Sequence, residues 1–241
     1  MSKSKFKLKD LKPSNDFIEW NKLMSNNYDQ DYYYEKSSPF IVWIEKLRLK
    51  SISNFIRKDI GKNNYACPTI LEVGCGAGHV LKEIDKNIGS KKLIGLDPLE
   101  NWLEISRKKL NGGAKLINGI AEDLPFEDSS IDYVICSEVL EHVIDPKVVL
   151  TEIARVTKNT GLIVISIPDE TVIHLIKNTI DFLKLYNLFF PKIQKDNEWH
   201  LHDLTLKDFN KYIPNKLKIG EINTIPFSLV PLRYVITLKK N

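Results

Sequence analysis

"LEVGCGAGHV", residues Leu71 to Val80, joins an apolar run to the start of a helical pattern through three glycines at alternate positions, Gly74, Gly76 and Gly78. The run it completes, "TILEV" from Thr69, is rich in branched residues and reads as a buried strand. The residues that follow place Val80, Leu81, Ile84 and Ile88 at helical spacing. Glycine at such a junction opens dihedrals closed to other residues and removes the side chain that would hold a ligand off the main chain. The helix beyond it offers N–H groups and the positive end of its dipole. One glycine would serve a tight turn. Three at alternate positions predict a cradle for a ligand pressed against main chain.

Working outward, the same rhythm repeats. "KKLIGLD", "AKLING", "IDYVICS" and "GLIVISIP" read as further strands, and "LENWLEISRKKL" and "PKVVLTEIARVT" as helices between them, the latter with Pro146 in its first turn. Strands apolar on both faces and separated by amphipathic helices predict a parallel sheet covered on both sides, a Rossmann-like, doubly wound α/β fold. "NKLKIGEINTI" and "LRYVITLKK" alternate more cleanly and read as added edge strands. Two regions stand outside this rhythm. Residues 1–66 form a helical extension: "SSPFIVWIEKLRLKSISNFI" opens with Ser38 as N-cap and Pro39 at the first helical position, after a tyrosine cluster of Tyr28, Tyr32, Tyr33 and Tyr34. Within the main domain, 67–241, residues 169–204 form an inserted cap, followed by a helix for which Thr205 and Asp208 have capping-box spacing.

Composition sets limits. The chain has 241 residues, 43% hydrophobic and 27% charged, with a net charge of +4, ordinary for a globular domain that buries a sizeable core. No apolar run reaches the roughly 18 residues of a membrane span, and the basic start "MSKSKFKLKDLK" has no apolar segment behind it to make a secretory signal. Cys67, Cys75 and Cys136 lack paired spacing, so neither a disulfide framework nor a zinc site is expected, and a cytoplasmic location is. The basic N-terminal run, with a single aromatic residue at Phe6, reads as a solvated tail in preference to a nucleic-acid arm.

A dinucleotide fingerprint, G-x-G-x-x-G, needs a glycine where this chain has His79. The pattern here is G-x-G-x-G, preceded by Glu72, and Asp97 ends the second strand in "LIGLDPLE". A carboxylate at that distance past a glycine loop can take both ribose hydroxyls; it can also cap the helix that follows.

These stretches, with "GIAEDLPFEDSSIDYVICSEVLEHV" and "GLIVISIP", resemble in order and spacing the motifs of class I S-adenosylmethionine-dependent methyltransferases, the small-molecule group with the "AEDLPF" loop in particular, over residues 68 to 168. The resemblance implies a seven-stranded sheet with the last strand antiparallel, and S-adenosylmethionine as cofactor. It implies that Gly74, Cys75 and Gly76 border the methionine moiety with Glu72 nearby, that Gly78 belongs to the same cofactor-binding loop, that Asp97 takes the ribose, and that Pro98 lies near the adenine. Ala121 and Glu122 match the adenine-side loop, and Ser137 and Glu138 the methionine and acceptor side. One departure stands out: where the family often carries an acid after the loop glycine to hold the adenine amino group, this chain has Ile120 after Gly119.

For the acceptor side, His142 in "SEVLEHVID" and His200 in "EWHLHDL" are the candidate catalytic groups. His142 also reads as a loop histidine that shapes a turn. His200 with His202 lacks an evident third ligand, so no metal is expected. The stripe of Val172, Ile176, Ile180 and Leu183, with Leu185, Tyr186, Leu188, Phe189 and Phe190 beyond it, exceeds one apolar face. It suits core packing, an apolar pocket, dimerisation or peripheral membrane contact. The expected function is O- or C-methylation of a small, partly apolar metabolite. The alternatives are a tRNA or other nucleic-acid methyltransferase, against which Cys136-Ser137-Glu138-Val139 stands in place of an N/D-P-P-Y pattern, and a non-catalytic S-adenosylmethionine-binding protein.

Overall fold

A computed structural model describes residues 15–25, 29–63, 65–89, 91–182 and 200–241. The basic N-terminal run, Tyr28, and the apolar positions Leu183, Leu185, Tyr186, Leu188, Phe189 and Phe190 lie outside the described residues.

The sheet has seven strands in the order β3-β2-β1-β4-β5-β7-β6. These are β1 (Thr69–Val73), β2 (Lys92–Asp97), β3 (Lys115–Asn118), β4 (Ile131–Ser137), β5 (Thr157–Pro168), β6 (Leu217–Pro226) and β7 (Pro231–Lys240). β1 to β5 run parallel, and β7 is antiparallel to both β5 and β6. Strand order reverses beside β1, so the carboxyl ends of β1, β2 and β4 open onto one crevice, where ligands of doubly wound sheets bind. Among the described residues, five helices connect and cover the strands after β1: α3 (His79–Asn87), α4 (Glu100–Leu110), α5 (Pro146–Val156), α6 (Glu170–Phe182) and α7 (Leu206–Tyr212). Ahead of β1 come α1 (Asn15–Ser25), a π-helical turn (Tyr32–Lys36) and α2 (Pro39–Asn63).

The caps follow the side-chain chemistry. Ser38 Oγ accepts from the Ile41 N–H at 3.4 Å, Asp145 Oδ1 from Lys147 N–H at 2.8 Å, and Thr205 Oγ1 from Asp208 N–H at 3.2 Å. Each satisfies an orphan donor of a first helical turn. The sheet separates two apolar clusters. Val134, Cys136, Ile163 and Ile165 face α5 and α7, while Ile70, Tyr133, Ile135 and Val164 face α2 and α3. Ile52 and Ile56 of α2 are fully buried in the second cluster, so the extension before β1 is built into the core's packing.

One expectation is corrected. β6 is an edge strand, but β7 lies inside the sheet. Its alternation is between two buried faces, Val235 packing toward α2 and Ile236 and Leu238 toward α5 and α7. A period of two distinguishes two faces but not apolar-against-water from one cluster against another.

Candidate functional site

The crevice is a cavity of about 740 Å³ that runs from the β1 and β2 tips to the turn after β4 and the start of α6. Glu72, Gly74, Cys75, Asp97, Pro98, Ala121, Glu122, Ser137, Glu138, His142 and His200 all line it; Gly76 and Gly78 do not. The size suits a cofactor together with a small acceptor.

At the β1 end, Gly74, Gly76 and Gly78 have φ of 72°, 48° and 78°, in the left-handed region that favours glycine. Their bare faces meet protein: Val139 packs against Gly74, Ser106 against Gly78, and the Gln30 amide against Gly76. The amides of the loop itself are all taken. Gly74 and Cys75 N–H both donate to Leu96 O, Gly76 to Asp97 Oδ2 at 2.8 Å, Ala77 to Gln30 Oε1 at 2.8 Å, and Gly78 to Cys75 O. Every N–H from Gly74 to Gly78 therefore has a protein partner, and the loop has no unpaired amide row to cradle a pyrophosphate.

Asp97 realises both sequence readings at once. Its Oδ1 accepts from the Leu99 N–H at 2.9 Å at the entry to α4, while Oδ2 holds the glycine loop. The side chain is 3% exposed and lines the cavity. Burial raises its pKa to about 6, with the Leu99 and Gly76 amides pulling the other way. Each oxygen retains a second lone pair for a ligand hydroxyl. Beside it, Glu72 Oε2 and Glu122 Oε2 are buried without a partner, and burial lifts both carboxyls above their ordinary range. Glu122 Oε1 accepts from the Ile144 N–H at 3.2 Å.

Sequence reasoning missed the middle of the site. Arg48 of α2 is 1% exposed and donates to Glu45 Oε2 from Nε at 2.9 Å and Nη2 at 2.6 Å. Its Nη2 also donates to Tyr34 OH, and its Nη1 to Ser137 Oγ and to Ser166 Oγ. Arg233 of β7 reaches Glu45 Oε1 at 3.3 Å, Glu138 Oε2 at 2.8 Å and Tyr33 OH at 3.0 Å. Two guanidinium groups and two carboxylates thus balance inside the wall of the cavity. Glu138 reaches this network because its backbone takes φ 55°, a conformation costly to a residue with a Cβ. The N-terminal segment adds Asp31, 2.8 Å from His79 Nε2 and 2.5 Å from Lys109 Nζ, with the Tyr34 ring stacked on His79 at 4.1 Å. Burial and Lys109 lower the His79 pKa to about 4.

At the far end, the rings of His142 and His200 stand 4.9 Å apart, edge to face. Glu170 Oε1 lies 2.7 Å from His200 Nδ1, and its Oε2 3.3 Å from His174 Nε2. His202 does not join them: its Nε2 is 2.9 Å from Val143 O. Burial, with the Glu138 and Glu170 carboxylates adding to it and Arg233 opposing, raises Glu141 well above its ordinary range.

The comparisons with known proteins agree with this geometry. Residues 71–165 match the family model described as a methyltransferase domain. A demethylmenaquinone methyltransferase from Staphylococcus aureus (strain MRSA252) is 32% identical over 137 residues, covering 54% of this chain and 57% of that protein. The chain therefore matches little more than half the length of that relative. Among solved structures, a Pyrococcus horikoshii OT3 protein superposes with a TM-score of 0.60 at 17% identity, covering 88% of this chain and 96% of the other. The plantazolicin methyltransferase BpumL, solved with a triazolic desmethylPZN analog and SAH, gives 0.61 at 18% identity, covering 95% and 100%. At these identities the likeness is one of fold. Among the described residues no helix is long and apolar enough to cross a membrane.

Proposed function

We propose that this chain, whose residues 71–165 match the methyltransferase domain model and which has the class I S-adenosylmethionine-dependent methyltransferase fold, methylates a small, partly apolar molecule at oxygen or carbon. One observation carries the reading: a single cavity connects the buried Asp97 carboxylate at the β2 tip with the His142–His200 pair beyond β4.

The residues present fit S-adenosylmethionine. Asp97 has lone pairs for the ribose hydroxyls, and the unpartnered Glu72 Oε2 and Glu122 Oε2 accept from an ammonium or an adenine amino group. Glu122 thus answers the gap left by Ile120. Pro98 and Ala121 bound the adenine side, Gly74 and Cys75 the methionine side, with Gly76 and Gly78 shaping the loop beneath, and Ser137 and Glu138 face the junction with the acceptor. When bound, the cofactor supplies a methyl group on a cationic sulfur, already a strong electrophile. The protein's task is then alignment, which is worth roughly 7–11 kcal/mol in favourable cases. The Arg48–Glu45–Arg233–Glu138 network fixes the wall against which both reactants lie. Ile41, Val139, Ile173, Ile176 and Leu232 give the acceptor an apolar bed, and His142 and His200 meet its reacting group. A relative named for demethylmenaquinone supports the small-molecule class.

The test is methyl transfer from labelled S-adenosylmethionine into fractionated cell extract, with thermal shift by S-adenosylhomocysteine or NAD run beside it. Label in an organic-soluble small-molecule fraction, with a shift for S-adenosylhomocysteine alone that Asp97→Ala abolishes, is the expected outcome. Label in RNA would replace the acceptor class. A shift without transfer into any fraction would leave a binding protein, and an unchanged shift in Asp97→Ala would remove the ribose assignment.

A further inference from the structure

We propose that Glu141, His142 and His200 bind a divalent first-row transition ion at the acceptor end of the cavity. One ligating atom from each lies within 4.8 Å of the other two, a spacing that a single ion can bridge. Glu141 is 1% exposed and its Oε2 has no partner, so a buried carboxylate oxygen sits unsatisfied beside two imidazoles. Such an atom costs stability unless something meets it, and an open carboxylate oxygen beside two imidazole nitrogens is a donor set that a metal cation meets.

The backbone holds the ligands in place without the ion. Glu141 and His142 are neighbours in the turn after β4, where His142 N–H donates to Val139 O at 2.9 Å. The segment carrying His200 is stitched to that turn: Leu201 N–H donates to Glu141 O at 2.7 Å and His202 N–H to the same oxygen at 3.3 Å. His202 Nε2 adds a contact with Val143 O at 2.9 Å. Glu170 Oε1 at His200 Nδ1 is the outer carboxylate that orients a ligating imidazole and raises the basicity of its other nitrogen. Two imidazoles and one carboxylate, facing a cavity with room for a further ligand, suit Mn²⁺, Co²⁺ or Zn²⁺; Mg²⁺ favours oxygen donors.

The site stands on these contacts alone, but its use rests on the methyl-transfer reading. An acceptor hydroxyl or enol bound to the ion loses its proton to solvent as the oxygen–hydrogen bond breaks and the metal–oxygen bond forms. The acceptor is then held as the anion, and His142 and His200 act as ligands in place of bases.

The full chain, stripped with EDTA and dialysed, is titrated with MnCl₂ while electron paramagnetic resonance counts the free ion. One Mn²⁺ per chain is expected, with at least tenfold weaker binding in His142→Ala, His200→Ala and the near-isosteric Glu141→Gln, each melting near the parent in EDTA. The double variant His174→Ala/Asp203→Ala, which removes a neighbouring and more exposed acidic group, should bind as the parent does. No Mn²⁺ bound by the parent, or undiminished binding in both His142→Ala and His200→Ala, overturns the proposal. So does displacement of Mn²⁺ by an equal concentration of Mg²⁺, since imidazole ligation forbids it. The S-adenosylhomocysteine melting shift, measured in EDTA, reports the donor site separately: a shift with no Mn²⁺ binding sinks the ion and leaves the methyl-donor reading standing.

Discussion

Replacing Arg48 with Met tests the central claim about the cavity wall, that its charges are balanced as a set. The substitution keeps an unbranched chain in a site that is 1% exposed and removes only the guanidinium. Glu45, also 1% exposed, then loses both of its short contacts, at 2.6 and 2.9 Å, and keeps Arg233 at 3.3 Å. Burial pushes the Glu45 carboxyl up, but Arg48 and Arg233 together outweigh it and hold the group below its ordinary range. With Arg48 gone, burial dominates. Removing one partner of a buried pair typically costs about 3–5 kcal/mol, a large share of the roughly 5–15 kcal/mol that holds a domain folded. Ser137 and Ser166 soften the loss by bonding each other at 2.8 Å, and Ser166 also reaches Glu138 at 2.9 Å. The double variant Glu45→Met/Arg48→Met removes both charges and leaves Arg233 paired with Glu138 at 2.8 Å, so most of the loss should return. Urea unfolding at pH 7 with a common m-value reads both quantities. A loss below about 1 kcal/mol in the single variant, or a double variant as damaged as the sum of two singles, would refute the balance.

Two further outcomes follow from the loop and its acid. Asp97, at about 6 in the folded chain against an ordinary 3.8, binds its proton more tightly when folded. Its contribution is therefore full below pH 4 and is lost as pH rises to 6, a change on the order of 3 kcal/mol; Asp97→Asn should flatten the fall in urea midpoint between pH 4 and 6, and equal slopes would contradict the burial argument. Gly74→Ala puts a Cβ into Val139 at φ 72° and should cost roughly 1–3 kcal/mol by thermal melting, whereas Gly112→Ala, at φ 80° with open space around it, should cost only the conformational part.

The parallel sheet was legible because its signal is local. "TILEV", "KLIGLD" and "IDYVICS" are buried on both faces by helices on either side, and a run of branched residues between helical periods has few other meanings. Asp97 was legible for a related reason, since its chemistry depends on a strand tip that the pattern locates. The Arg48 network was not. Glu45 and Arg48 stand three apart on a helix, the spacing of ordinary solvated ion pairs, and nothing in the sequence says that this face of α2 meets the β4 and β5 serines. The histidine pair was half legible. Glu141 and His142 are adjacent, but His200 arrives from beyond α6, and the backbone bonds at Glu141 O, with Glu170 at His200 Nδ1 and His202 at Val143 O, bring it to them.

The N-terminal segment shows most clearly what periodicity leaves out. The tyrosine cluster reads from sequence as aromatic packing onto the core or as a segment closing over the cofactor. In the structure, residues of this stretch reach different parts of the site: Gln30 holds Ala77 of the glycine loop, Asp31 meets His79 and Lys109, Tyr33 bonds Arg233 of β7, and Tyr34 bridges His79 and Arg48. These contacts are polar and specific, so no apolar repeat announces them. Their consequence is that one short stretch ties the β1 loop to the charged wall at β4, β5 and β7. The glycine loop satisfies four of its five N–H groups, Gly74 to Gly76 and Gly78, from the core; the fifth, at Ala77, depends on a side chain of this stretch. Freeing Ala77 N–H therefore means breaking its bond to Gln30, on the same short stretch whose Tyr33 and Tyr34 bond Arg233 and Arg48.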